Sequence, residues 1–106
     1  MLAPMKPIID RAEVSIDYPD KAFMGAFGRR AGFDVSADAD GVSIKLASRE
    51  GEKREVQIHL HYYLLADILD AMADAMKGRL SGDPHLPSLC EAATSLRDAL
   101  TAAERG

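Results

Sequence analysis

A chain of 106 residues, 47% hydrophobic and 28% charged, has the size and composition of one globular domain and leaves little room for a second core. A net charge of −4 and a pI near 5.3 offer a long polyanion no general attraction, so nucleic acid is not an expected partner. No stretch approaches the ~20 uninterrupted apolar residues of a bilayer crossing, and with Cys90 as the single cysteine there is no internal disulfide, which fits a reducing, cytoplasmic setting.

Residues 1–10 read as a flexible N-terminal arm, because Pro4 and Pro7 remove backbone donors and bias the residues before them toward extended conformations. Residues 11–106 are expected to form a single α+β domain. From Ala12 to Tyr18 the pattern alternates, with Val14, Ile16 and Tyr18 on one side and Glu13, Ser15 and Asp17 on the other, as in a half-buried strand. Pro19 then suits a first helical position, Phe23 and Phe27 stand one helical turn apart, Arg29 and Arg30 come near the end, and Gly32 offers a stop. A short helix is therefore expected over 19–31, although Gly25 and Gly28 weaken it and leave an irregular or partly extended segment as the rival.

Three alternating runs follow between Phe33 and His61. Asp40-Gly41 is a favoured two-residue hairpin turn, and it predicts Ala39 opposite Val42, Ala37 opposite Ile44 and Val35 opposite Leu46. A three-residue loop, Glu50-Gly51-Glu52, then sets Leu46 opposite Val56, Ile44 opposite Ile58 and Val42 opposite Leu60. A two-residue loop would oppose apolar to polar side chains, so the pattern selects the odd length.

At Tyr62 the period changes. Leu65, Ile68, Leu69, Met72 and Met76 share one helical stripe, with Asp67, Asp70 and Asp74 opposite, and Gly78 closes the helix. Ser88 to Glu91 has the form of a capping box, and Leu89, Ala92, Leu96, Ala99, Leu100 and Ala103 make a second stripe. The expected order is β-α-β-β-β-α-α: an antiparallel sheet of about four strands with two C-terminal helices packed on its apolar face.

The sharpest chemical feature is His59-Leu60-His61. Residues two apart on a strand project from one face and can present two imidazoles to one ion. In the expected register His59 lies opposite Ser43, itself opposite Asp38, and His61 lies near the Asp40-Gly41 turn, so His59, His61 and Asp38 or Asp40 could hold a divalent transition metal, zinc, iron or manganese not being separable. Asp38, Ser43 and His59 also supply the residue types of a hydrolytic triad, yet no oxyanion donors or nucleophile elbow accompany them. Arg29 and Arg30 could hold an anion through their guanidinium forks. The glycine spacing matches no phosphate-binding loop, so no nucleotide cofactor is implied. Tyr62 and Tyr63 are expected at a strand-to-helix junction, one of them plugging the core edge.

The expected function is that of a small non-catalytic intracellular module acting through protein contacts, as an adaptor, chaperone-like or regulatory protein. It is expected to be a homodimer joined through a spare helix face or edge strands. The alternative is a small metal- or ligand-binding protein, with enzymatic activity open, centred on His59 and His61.

Overall fold

The computed structural model describes residues 5–48 and 53–105. The chain is α+β. Six strands come first: β1 (Lys6–Pro7), β2 (Ala12–Tyr18), β3 (Lys21–Phe27), β4 (Ala31–Ala37), β5 (Gly41–Ser48) and β6 (Glu55–His61). Two helices follow, α1 (Tyr62–Met76) and α2 (Leu86–Arg105). The strands form a four-stranded antiparallel sheet in the order β1-β4-β5-β6 and a separate antiparallel hairpin, β2-β3. By internal contacts the chain divides into two units, Met1–Asp67 and Ile68–Gly106.

The segment expected as a helix over 19–31 is instead strand β3 followed by a tight turn. Pro19 and Asp20 make the two-residue turn of the β2–β3 hairpin, which pairs Tyr18 with Lys21, Ile16 with Phe23 and Ala12 with Phe27. A spacing of four residues satisfies both periods: it is one helical turn, and it also keeps two side chains on one face of a strand. Phe23 and Phe27 therefore fit either structure. The glycine between them lowers helix propensity by ~1 kcal/mol relative to alanine, and pairing with β2 settles the competition. The order is thus β-β-β-β-β-β-α-α.

The hairpin supplies the core. Phe27, 1% exposed, is buried with Ile8 and Ala31, and Val14, Phe33, Leu46 and Val56 pack against them. Phe33, Leu46 and Val56 form one cross-strand row on the apolar face of the larger sheet, so this core lies at one end of that face. The arm segment reaches the same place: Lys6 and Pro7 pair with Phe33 and Gly32, and the Ile8 amide donates to the Ala31 carbonyl at 3.2 Å.

The β5–β6 register is the one the alternation selects, Leu46 opposite Val56, Ile44 opposite Ile58 and Val42 opposite Leu60. The loop 50–52 itself lies outside the described residues. The β4–β5 register differs from expectation by two residues: Ala37 faces Val42, Val35 faces Ile44 and Phe33 faces Leu46. The cause is local. Asp38, not Asp40, organises the turn, its Oδ1 accepting from the amides of Asp40 at 2.8 Å and Gly41 at 2.9 Å, an Asx turn that places the reversal one residue earlier. A shift of two leaves side-chain parity unchanged, so every residue keeps its face.

Helix α1 ends where expected. Gly78 adopts φ 77°, the left-handed conformation that glycine adopts without a Cβ penalty, and Arg79 donates to the Met76 carbonyl at 3.1 Å. Helix α2 begins at Leu86, two residues before Ser88, so Ser88-Glu91 is not its cap. Asp83 organises that end instead, its carboxylate accepting from the His85 amide at 2.8 Å and its carbonyl from the Leu86 amide at 3.1 Å. Among the described residues no helix is long and apolar enough to cross a membrane.

Candidate functional site

Along β6 the odd residues, Glu55, Gln57, His59 and His61, share the face of the sheet opposite to Val56, Ile58 and Leu60. Their neighbours on β5 are Lys45 opposite Gln57, Ser43 opposite His59 and Gly41 opposite His61. Ser36 of β4 completes the His59 row. The sheet thus brings both histidines and Asp38 to one polar face, with Asp38 at the turn two residues beyond Ser36.

His59 reaches diagonally to this turn. Its Nε2 lies 3.3 Å from Asp38 Oδ2, and the His59 and His61 rings meet edge to face with centroids 5.0 Å apart. Gly41 stands between Asp38 and His61 in its row and has no side chain to fill the space. An added Cβ there would overlap the Leu60 carbonyl oxygen and come within 2.9 Å of the His61 Cα. Gly41 therefore serves close strand approach; its φ is not positive. The Asp38 carboxyl is held below the ordinary carboxylate range, first by the Asp40 and Gly41 amides and then by His59.

Tyr62, the first residue of α1, donates its hydroxyl to the Asp38 carbonyl at 2.6 Å, and its amide donates to the Asp40 carbonyl at 3.3 Å. The tyrosine therefore clasps the hairpin turn, while Tyr63 is 92% exposed. Toward the other end of the same strands Lys45 and Glu55 form an ion pair of 2.7 Å, which raises the lysine pKa. No sequence motif signalled the Tyr62 clasp; it depends on a contact 24 residues apart.

Arg29 and Arg30 occupy the turn between β3 and β4, closed by the Ala31 amide donating to the Gly28 carbonyl at 2.9 Å. They do not end a helix, so no macrodipole explains them. Asp67, Asp70 and Asp74 are exposed on α1. Cys90 is exposed on α2, and Asp83 and His85 pair at 2.7 Å before it. That bonding to the His85 amide and ring depresses the Asp83 pKa. Among the described residues no group of three or more His, Cys, Asp or Glu side chains is placed to hold a metal ion.

Two open grooves are apolar rather than chemically armed. One, about 540 Å³, lies against Pro7, Ile8, Ile9, Phe33 and Leu46. The other, about 470 Å³, lies where α1 gives way to α2, against Met76, Leu80, Leu86, Leu89 and Cys90. Neither includes His59 or His61. No protein-family model, curated protein or solved structure matches the chain.

Proposed function

We propose that this chain is a non-catalytic intracellular protein-interaction module, an adaptor, chaperone-like or regulatory protein, and that it works as a homodimer. One observation carries the reading: large apolar side chains remain in contact with solvent on strands and helices alike. Val35 is 55% exposed, Ile58 49% and Leu100 57%, and neither helix holds a buried residue. Single exposed apolar residues are ordinary; recurrence along one sheet face and along the stripes of both helices supports a reading in which a second chain covers that surface. Mass measurement by light scattering, together with binding of an apolar dye, tests this. A dimer with little dye binding is the expected outcome; a monomer that binds no dye removes the reading.

A second reading, a divalent transition metal held by His59, His61 and Asp38, draws support from the 5.0 Å ring approach and the 3.3 Å His59–Asp38 contact. Elemental analysis of untagged protein tests it. One ion per chain that is lost in both His59→Ala and His61→Ala would favour it, and substoichiometric metal would remove it.

A further inference from the structure

The two edges of the larger sheet are finished differently. At one edge β1, two residues long, a lysine and a proline, pairs with Gly32 and Phe33 of β4. Shortness, a lysine and a missing amide are the means by which sheets discourage further pairing. At the other edge lies β6, seven residues in unbroken register with β5. Its sequence, Glu-Val-Gln-Ile-His-Leu-His, contains no proline, glycine or lysine and its ladder has no bulge. Apart from the charge of Glu55, β6 carries none of these devices.

The hydrogen-bond phase of this edge can be read from its ends. The Tyr62 amide donates to the Asp40 carbonyl, and the Ser48 amide donates to the Arg54 carbonyl at 2.9 Å. Even-numbered residues from 54 to 62 therefore bond inward to β5. In an antiparallel ladder the phase alternates, so Glu55, Gln57, His59 and His61 direct their amides and carbonyls away from the sheet. All four are exposed.

We propose that β6 pairs antiparallel with β6 of a second copy about a two-fold axis at Ile58, joining the two sheets into one. This deepens the dimer reading above and rests on it. The axis is selected by three requirements that only this register meets together. It pairs the whole strand: Glu55 with His61 of the other copy, Val56 with Leu60, Gln57 with His59, and Ile58 with its own equivalent. It makes the outward-pointing odd residues the hydrogen-bonded pairs and leaves Ile58 in a non-hydrogen-bonded pair, as the phase demands. It also opposes complementary groups, since the His61 imidazole donates to a Glu55 carboxylate already oriented by Lys45, and His59 meets an amide. An axis at His59 would stack that imidazole on its twin, and an axis at Gln57 would set Lys53 against His61. Both would leave part of the strand unpaired. With the axis at Ile58, the apolar row Val56, Ile58, Leu60 runs on into its symmetry mate, covering a side chain that is half exposed in one chain.

Cysteine substitutions in a Cys90→Ser background test the register. Non-hydrogen-bonded antiparallel pairs have the shorter Cα separation, ~4.5 Å, within disulfide reach. Ile58→Cys should give a disulfide-linked dimer on mild oxidation. Val56→Cys and Leu60→Cys should each stay unlinked alone and should link when the two chains are mixed. Glu55→Lys should weaken the dimer about tenfold, because two complementary pairs are lost per dimer, and added His61→Glu should restore it. A dimer by mass in which Ile58→Cys does not link, or in which Val56→Cys links alone, overturns edge pairing at Ile58 and leaves the dimer reading standing. A monomer by mass overturns both.

Discussion

The Asp38 carboxylate accepts from two backbone amides and faces an imidazole, and these partners can be separated by substitution and by pH. Asp38→Ala removes all three and should lower the urea midpoint at neutral pH. Asp38→Asn keeps an oxygen that can accept from Asp40 and Gly41 and should cost less. The carboxyl pKa is depressed in the folded chain. Its stabilising contribution is therefore fully present above the unfolded value of ~3.9 and is lost as pH falls through the folded value. The urea midpoint should fall below about pH 4, and that acid loss should be smaller in Asp38→Asn; an unchanged acid limb would show that Asp38 is not the group responsible. Gly41→Ala should cost about 1–3 kcal/mol, the range of overpacking, since the obstructing atoms are backbone of Leu60 and His61 and cannot swing aside. The same residues show why the turn was misplaced in the sequence: Asp40-Gly41 is a strong local signal, but Asp38 two residues earlier offers a competing carboxylate, and Gly41 is held in a strand by a neighbour about 20 residues away whose approach no local pattern reveals.

At the scale of elements, parity carried the reading from Phe33 to His61 and the 3.6-residue period carried it through α1 and α2, because each segment there satisfies only one period. Residues 19–31 satisfy two. Phe23 and Phe27 fit a helical turn and a strand face equally, and the choice falls to the Tyr18–Lys21 turn and pairing with β2. The start of α2 is ambiguous in sequence for a similar reason, Ser88 having the right form while Asp83 holds the actual bonds. The histidine pair was legible because i and i+2 on a strand fix a shared face whatever the register; the 3.3 Å His59–Asp38 contact depends on the turn and was reached by a different row from the one expected. If β3 supplies the core as described, Phe27→Ala should cost about 3–5 kcal/mol, the largest loss of any single truncation in the hairpin. Exposed Met24, three residues before it on the same strand, should tolerate alanine with a change inside about 0.5 kcal/mol. Equal losses at the two positions would contradict the strand, since only a strand separates them onto opposite faces so sharply.

For the molecule as a whole, the decisive relation is between the burial inside one chain and the burial a stable fold of this length requires. Among the described residues the buried apolar side chains are Ile8, Phe27 and Ala31, whereas a domain of about this size ordinarily buries well over half of the surface its unfolded chain exposes. If the missing burial comes from a second copy, folding and association are one equilibrium, and stability must depend on chain concentration. For such a dimer a tenfold rise in concentration changes the free energy by about 1.4 kcal/mol, which should raise the thermal midpoint by about 3–6 °C. Differential scanning calorimetry across two decades of concentration measures this directly. A midpoint independent of concentration would mean that each chain unfolds alone and would remove the homodimer. Where folding and association are that single equilibrium, Glu55→Lys and Phe27→Ala should each lower the midpoint at every concentration, Phe27→Ala by more because it truncates the buried core side chain.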